Sequence, residues 1–375
     1  MKKSKVFKKT VDELSECFEK LPDYREGVNT RYEIKDAAVS AFSVFFTQSP
    51  SFLASQRLLQ KRKGKNNLQT LFGVENVPTD TQTRNLLDPL TPSLLSELFP
   101  YGIDLLKGKG VLKKFESYAG QILISTDGTE TVSSQKLHCQ NCSHRALKNG
   151  ETHYFHSAIL PVIVKASNPR VLPLSPEFIT PQDGHEKQDC EREATKRWVK
   201  RNSAALKGWR YTMLGDDLYS NQPLCEAFLA AELNFILVCK PDSHIELYKT
   251  VDFLAKNGLV EEFEERHWNG RYYEKRQYRF VNEVPLRQED PLLVNWLEII
   301  ITNESTGKEI YRNSFVTNQI VSVEDVVPLA EDGRTRWKSE NETNNTLKNQ
   351  GYHFEHNFGH GEEHLANFLA TLNLL

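Results

Sequence analysis

The sequence predicts an α/β fold: a mixed sheet flanked by helices, with a helical domain before it and a strand-rich block near its end. Three observations support this prediction. Apolar residues recur at helical spacing up to about residue 115. From about residue 118, short apolar runs bounded by turn residues alternate with helical segments. Residues 241–318 then carry two hairpin signals.

Residues 1–115 are predicted to form a helical, DNA-binding domain. The stretch VPTDTQTRNLLDPLTPSLLSELF offers Thr79 or Asp80 as an N-cap, a helix, a proline break and a second helix. This pattern occurs in DNA-binding helix-turn-helix units and also in many other helical domains. The preceding helical stretch ends in a basic cluster, a candidate DNA contact, formed by Lys61, Arg62, Lys63 and Lys65.

Residues 116–240 are predicted to begin the α/β core. QILISTDGTE, YFHSAILPVIVKA and RVLPLSPEFI each resemble a strand, and short polar turns between them favour an antiparallel meander. The helix GHEKQDCEREATKRWVKRN follows, then the strand YTMLGDD, the helix QPLCEAFLAAEL and the strand NFILVCK. This alternation favours parallel strands.

Residues 241–318 are predicted to be a β-rich insertion in that core. Two strand-like runs flank Asn269-Gly270, a strong hairpin signal, and NWLEIIITNESTGKEIYRNSFVTN is a second candidate hairpin. Residues 319–375 return to helix in SVEDVVPLAEDGRTRWKSENETNNTLKNQ and end in the helix EEHLANFLATLNLL, so they are predicted to complete the core.

The composition indicates a soluble globular protein and argues against a membrane-spanning, secreted or disulfide-rich one. The charged fraction of 26% and apolar fraction of 39% are ordinary for a soluble globular chain. The longest apolar runs fall short of the roughly 18 residues of a membrane span, and the N-terminus lacks the apolar region of a secretory signal. Six scattered cysteines favour a reducing cytoplasm over a disulfide framework.

The charge is unevenly distributed along the chain. Residues 1–115 hold 19 Lys and Arg against 13 Asp and Glu, a net +6, whereas the remainder holds 28 against 37, a net −9. A basic first third is compatible with a polyanionic partner, although a solvated basic face is the more common cause.

Three carboxylates stand where an α/β sheet gathers site residues. Asp127 follows the first strand, Asp216 ends the fourth, and Glu340 lies on a helix after the β-rich block. Each also has an ordinary explanation: Asp127-Gly128 fits a hairpin corner, Asp216 fits a turn, and Glu340 fits a solvated helix residue paired with Arg336. Brought together, three carboxylates would need hard cations, Mg²⁺ or Mn²⁺, to offset their repulsion. Two such ions about 4 Å apart can activate a water and stabilise the leaving oxygen of a phosphodiester.

The residues around these acids resemble a known family. STDGTE, GDDLYSN and RWKSEN are similar to the three acidic motifs of DDE transposases of bacterial insertion sequences, in the group whose RNase H-like core is interrupted by a β-rich insertion. The second motif selects Asp216 over Asp217, and the family's R-x-x-x-E selects Glu340 over Glu342. The resemblance covers residue 118 to the end, and more loosely the helical N-terminus.

The resemblance implies a function and a set of partners. It implies two Mg²⁺ or Mn²⁺ ions held by Asp127, Asp216 and Glu340, cleavage at transposon ends, and transfer of the freed 3′-hydroxyl into target DNA, with a hairpin intermediate in some members. It also implies a homodimer in the DNA complex, a cytoplasmic location on nucleoid DNA, and phosphate contacts from Arg336, Lys338 and Lys348.

The chain departs from the family's fuller signature, Y-x-x-R-x-x-x-E-x-x-x-x-x-x-K, at two positions. Gly333 stands where that signature has Tyr, and the nearest lysine after Glu340 is Lys348, one residue further than the pattern asks. A metal-dependent nuclease without strand transfer, and a domesticated DNA-binding protein, are the alternative functions.

Cysteine and histidine form two further candidate metal sites. Cys139-x-x-Cys142 has the spacing of half a zinc site, with His138, His144, His153 and His156 nearby to complete it. The alternative is reduced thiols beside unrelated loop histidines. His353, His356, His360 and His364 form a second group, which fits either a metal site or a polar segment packed near the acids.

Overall fold

The computed structural model describes residues 2–27, 30–60, 67–74, 76–181, 190–206 and 209–375. Its helices are α1 (Lys2–Glu19), α2 (Ile34–Phe46), α3 (Phe52–Gln60), α4 (Asn67–Leu71), α5 (Asp80–Leu87), α6 (Leu98–Gly108), α7 (Glu191–Asn202), α8 (Gln222–Ala230), α9 (Ile245–Lys256), α10 (Val323–Arg334), α11 (Asn345–Asn349) and α12 (Leu365–Leu374). The helical prediction for the first 115 residues is therefore confirmed.

The predicted helix start near residue 80 is resolved in favour of Thr79. Its hydroxyl accepts the backbone N–H of Gln82 at 3.3 Å, so it caps α5. The proline break is also confirmed, but Pro92–Leu95 forms a short 3₁₀ turn and the next α-helix begins only at Leu98.

The strands, in chain order, are β1 (Ile122–Ser125), β2 (Gly128–Ser134), β3 (Ser143–Ala146), β4 (Thr152–Ile159), β5 (Val162–Val164), β6 (Leu172–Pro173), β7 (Glu177–Ile179), β8 (Tyr211–Gly215), β9 (Asn234–Val238), β10 (Glu261–Trp268), β11 (Tyr273–Pro285), β12 (Leu293–Asn303) and β13 (Glu309–Thr317). In the described ranges, nine of them form one sheet in the order β10-β11-β12-β13-β9-β8-β1-β5-β6. β1, β8 and β9 are parallel, and the remaining pairs are antiparallel. The predicted mixed sheet is thus confirmed.

The prediction of three simple strands before α7 is wrong. Each predicted run divides into two strands: β1, β5 and β6 join the large sheet, whereas β2, β4 and β7 join a second sheet that also contains β3. Two of the divisions fall at prolines, Pro161 before β5 and Pro176 before β7. A proline cannot donate a ladder hydrogen bond, so a strand tends to end or bend there.

Both predicted hairpins of the β-rich block are confirmed. β10 and β11 pair up to Trp268 and Tyr273, with Asn269-Gly270 in the connecting loop, and β12 pairs with β13. Since β13 also pairs with β9, these four strands extend the large sheet.

Helices cover both faces of the large sheet. Ile122 and Ile124 of β1 pack in the core formed with α7, α8 and α9, whereas Leu123 packs in the core formed with α10. Burial on both faces explains why the central strands read as nearly continuous apolar runs.

The C-terminal helix joins the N-terminal helices. Phe368 and Leu372 of α12 are buried in one core with Phe18, Val39 and Leu87. The Asp88 carboxylate accepts the backbone N–H groups of residues 362–365, at 2.8 to 3.2 Å, at the start of this helix. The two ends of the chain are thereby packed together beside the sheets.

Candidate active site

Asp127 stands where the chain passes from the large sheet to the smaller one. β1 ends at Ser125 and β2 begins at Gly128, and the Asp127 carbonyl accepts the N–H of Leu160 at 3.1 Å. The chain continues into a new strand there, so the alternative of a hairpin corner is wrong. The Asp127 side chain instead projects at the carboxyl end of β1.

Asp216 follows β8, the parallel neighbour of β1. Ser125 lies opposite Leu214, so both strands end at the same edge. The two adjacent acids after β8 are used differently. The Asp216 carboxylate accepts the backbone N–H of Leu218 at 2.9 Å, as the turn alternative predicted, and its charge adds to the effect of burial in raising the pKa of Asp127. Asp217 accepts the Lys240 N–H at 2.6 Å and the Ser243 hydroxyl, and so holds the chain after β9.

Glu340 reaches the same edge from the opposite end of the chain. The Arg336 carbonyl accepts the hydroxyl of Ser125 at 3.2 Å, which anchors this segment to the end of β1. The Arg336 guanidinium lies 2.7 Å from the carboxylate of Glu340, whose side chain is half exposed. The charges of both residues act on Asp127, Arg336 lowering its pKa and Glu340 raising it.

The prediction of one continuous helix through these residues is wrong. The helix α10 ends at Arg334, a turn follows, and Ser339–Asn344 forms a π-helical turn before α11. A π turn adds one residue to a helix. The residues after Glu340 therefore do not follow regular α-helical spacing.

This extra residue bears on the departure at Lys348 from the signature that the sequence resembles. With one residue inserted, the eighth position after Glu340 takes the place that the seventh has in a regular α-helix. That position is Lys348, whose ammonium lies 2.6 Å from Glu355. The other departure also has a packing cause: a Cβ at Gly333 would lie 2.8 Å from the ring of Phe315, so a tyrosine does not fit there.

The phosphate contact that the resemblance implies for Lys338 disagrees with the burial of its side chain. The residue is only 3% exposed, and its ammonium donates to the Asn168 carbonyl at 3.0 Å and lies 4.9 Å from the centre of the Trp337 ring. In this arrangement Lys338 fixes the segment before the π turn and does not offer its charge to a ligand.

A fourth carboxylate, missed by the sequence analysis, belongs to this group. Glu191 begins α7, and its carboxylate accepts a hydrogen bond from the Tyr219 hydroxyl at 3.3 Å. A Cβ at Gly128 would lie 2.3 Å from the Glu191 carboxyl carbon, so the glycine after Asp127 makes room for the Glu191 side chain. Acids in the first helical turn are common, so the local sequence gave no signal for this role.

The electrostatics show that these carboxylates repel one another. Burial, followed by the charge of Glu191 and by smaller contributions from Glu340 and Asp216, raises the pKa of Asp127 to about 7. Burial and the charge of Asp216 also raise the pKa of Glu191. Oxygen-preferring cations such as Mg²⁺ or Mn²⁺ would relieve this repulsion. They would have to draw the carboxylates closer together, because the one group of side chains already spaced as metal ligands in the described ranges consists of cysteines and histidines.

The structure can be compared with one of the two other predicted sites, the cysteine and histidine metal site, but not with the basic cluster. The basic cluster Lys61, Arg62, Lys63 and Lys65 lies outside the described residues. Cys139 and Cys142 do come together with histidines, but with one from each predicted group: His156 and His360. This cluster is separate from the four acids.

Two comparisons with known proteins found no match. No protein-family model matches the chain, and no curated protein matches it either. Within the described ranges, no helix has both the length and the apolar character to cross a membrane.

Proposed function

We propose that this protein is a DDE transposase that cleaves phosphodiester bonds at transposon ends and joins the freed 3′-hydroxyl to target DNA. One observation carries the proposal. Asp127, Asp216 and Glu340 are widely separated in sequence, yet they come to one edge of the sheet. Asp127 and Asp216 follow the parallel strands β1 and β8, which end together, and the Ser125 hydroxyl at the end of β1 donates to the Arg336 carbonyl, four residues before Glu340. These are the acids of the three motifs that resemble the family.

The strand order supports the same proposal. β6, β5 and β1 form an antiparallel set, and β8 and β9 extend it in parallel with β1. This is the arrangement expected for an RNase H-like core. We propose that residues 116–240 and 319–375 form that core, that residues 241–318 are its β-rich insertion, and that residues 1–115 bind DNA. The resemblance extends the proposal to a homodimer on paired ends.

In the proposed reaction, the acids bind the metal ions and Arg336 binds a phosphate of the DNA. Asp127, Asp216 and Glu340 would hold Mg²⁺ or Mn²⁺, and Glu191 is placed to hold or orient a water beside them. Such ions, when bound, lower the pKa of a coordinated water and offset the charge of a leaving oxygen. Arg336 would exchange its ion pair with Glu340 for a phosphate, because a guanidinium binds phosphate with two parallel hydrogen bonds.

The experiment uses labelled DNA that carries the sequences flanking the gene, incubated with the full chain and Mg²⁺. Joined products support a transposase, cut products alone support a metal-dependent nuclease, and retarded but intact DNA supports a DNA-binding protein. The last two outcomes contradict the proposal.

Adjacent aspartates provide a matched pair of variants. Asp216→Asn removes a proposed metal ligand and should abolish Mg²⁺-dependent cleavage, with DNA binding within a few fold. Asp217→Asn makes the same chemical change one residue away, outside the acid cluster, and should change the rate by less than about tenfold, or 1.4 kcal/mol. Equal losses in both variants would remove Asp216 from its assigned role.

Glu191→Gln tests the fourth carboxylate. We expect a slower cleavage rate with unchanged DNA affinity, because the substitution removes a charge beside Asp127 but keeps the side chain's size. A wild-type rate would mean that Glu191 only positions Gly128 and Tyr219.

A further inference from the structure

A second group of metal-ligating side chains lies between the smaller sheet and the C-terminal segment. Its members are Cys139 and Cys142, in the loop before β3, His156 on β4, and His360, shortly before α12. The sulfur or nitrogen atoms that these residues offer all lie within 4.8 Å of one another. Cys142 and His156 are buried, and all the cysteines in the described ranges are free thiols.

Three sulfur–nitrogen distances in this group match those of a tetrahedral site. Nε2 of His156 lies 3.4 Å from the Cys139 sulfur and 3.3 Å from the Cys142 sulfur, and Nε2 of His360 lies 3.4 Å from the Cys142 sulfur. With Zn–S bonds of about 2.3 Å and Zn–N bonds of about 2.0 Å, tetrahedral geometry separates a sulfur from a nitrogen by about 3.5 Å. A zinc ion therefore needs only small side-chain adjustments to bind all four.

A hydrogen bond on the far side of the His156 ring orients the ring so that Nε2 can bind a metal. Nδ1 of His156 lies 2.8 Å from the side-chain oxygen of Asn367 on α12. An amide oxygen can only accept, so Nδ1 carries the proton and Nε2 presents its lone pair to the two sulfurs. A donor of this kind behind a histidine is the usual support for a metal-bound imidazole.

The loop is also fixed to the C-terminal segment by direct contacts. The Asn141 side chain, between the two cysteines, donates to the Glu363 carbonyl at 2.6 Å. The cysteines are therefore held against the segment that carries His360 by a contact that is independent of any metal.

We propose that Cys139, Cys142, His156 and His360 bind one structural Zn²⁺ ion. Four protein ligands close the coordination sphere, which is typical of structural and not catalytic zinc. Thiolate and imidazole ligands also select Zn²⁺ over the hard Mg²⁺ that suits the four carboxylates. The ion would join the smaller sheet to the segment leading into α12, and through α12 to the N-terminal helices. This proposal does not depend on the DNA chemistry.

Metal analysis of the purified full chain tests the proposal. After supply with Zn²⁺ and dialysis to remove loosely bound ions, the wild-type chain should retain one Zn²⁺ per molecule. Cys139→Ser and His360→Asn should lose most of it. Cys17→Ser, a cysteine on α1, and His353→Asn should retain it; residue 353 has a φ of 52°, a conformation that asparagine tolerates.

Two outcomes would overturn the proposal. One is a wild-type chain that retains no zinc after this treatment, as expected for a disulfide or for hydrogen-bonded thiols. The other is full zinc content in both ligand variants. Because those variants can also fail to fold, Co²⁺ is added to the metal-free wild-type chain as a second measurement. The visible absorption of tetrahedral, thiolate-bound Co²⁺ supports the site, and the weak spectrum of octahedral Co²⁺ contradicts it.

Asn367→Ala tests whether the hydrogen bond between Asn367 and His156 contributes to zinc binding. Loss of the partner of His156 should weaken Zn²⁺ affinity about 10- to 100-fold. Asn373→Ala removes a buried asparagine of the same helix that bonds to the Tyr352 carbonyl instead, and should leave Zn²⁺ affinity unchanged. Equal affinities in both variants would contradict a supporting role for Asn367.

Discussion

Replacing Asp127 with asparagine should stabilise the metal-free protein, and the gain should grow with pH. The substitution keeps the size of the side chain but removes a charge that burial and Glu191 oppose. The pKa of Asp127 is about 7 in the folded protein against 3.8 as its ordinary value. The folded state therefore holds a proton that the unfolded chain has already released, and stability falls as pH rises from about 4 to about 7.

The size of the effect follows from the same shift. Each pKa unit corresponds to about 1.4 kcal/mol, so the two units between pH 5 and the folded pKa amount to about 3 kcal/mol. The wild-type protein should lose this stability between pH 5 and pH 8, whereas Asp127→Asn has no such group to ionise. The free energy of unfolding of the variant, relative to that of the wild type, should therefore be about 3 kcal/mol larger at pH 8 than at pH 5. A change of 1 kcal/mol shifts the Tm of a domain of this size by a few degrees at most.

The assay is thermal unfolding of both proteins in EDTA at pH 5 and pH 8. We expect the difference in Tm between variant and wild type to widen by several degrees at the higher pH. Mg²⁺ at pH 8 should then raise the Tm of the wild type more than that of the variant, because a ligand stabilises the state that binds it. Asp252→Asn, the same change at an exposed acid of α9, should show no widening. A difference in Tm that is the same at both pH values would refute the proposed repulsion among the acids.

Three further predictions concern other parts of the molecule. Glu340→Gln should abolish cleavage in Mg²⁺, while Glu342→Gln should change it by less than about tenfold, or 1.4 kcal/mol, as assayed on pre-nicked end DNA; the opposite result would shift the assignment by two residues. Asp88→Ala should lower stability by about 1–2 kcal/mol, measured by thermal unfolding, because it removes the acceptor of four backbone N–H groups at α12; an unchanged Tm would contradict this. Glutamine at all four positions of the basic cluster should flatten the salt dependence of DNA binding by about 0.9 in the log–log slope for each lost phosphate contact, and an unchanged slope would exclude DNA contact by Lys61, Arg62, Lys63 and Lys65.

Local patterns in the sequence were sufficient for the kind and order of most elements. The Asn269-Gly270 hairpin, the cap at Thr79 and the helix at the C-terminus all depend on residues within one or two turns of each other. The three acids were selected from the sequence as candidate site residues, because each lies in a short motif that resembles one of the family's. The strand divisions at Pro161 and Pro176 use equally local information, which the interpretation as a simple meander overlooked.

Only the tertiary structure decided which distant side chains meet. Glu191 lies against Gly128 because α7 packs on β4, β7 and α8. His360 reaches Cys142 across 218 residues because α12 docks beside the smaller sheet. Packing also buries Lys338, and the π turn changes the spacing after Glu340. Periodicity reports which face of an element is apolar, but not which partner covers that face. The membership of each site therefore depends on long-range packing, which a local pattern does not encode.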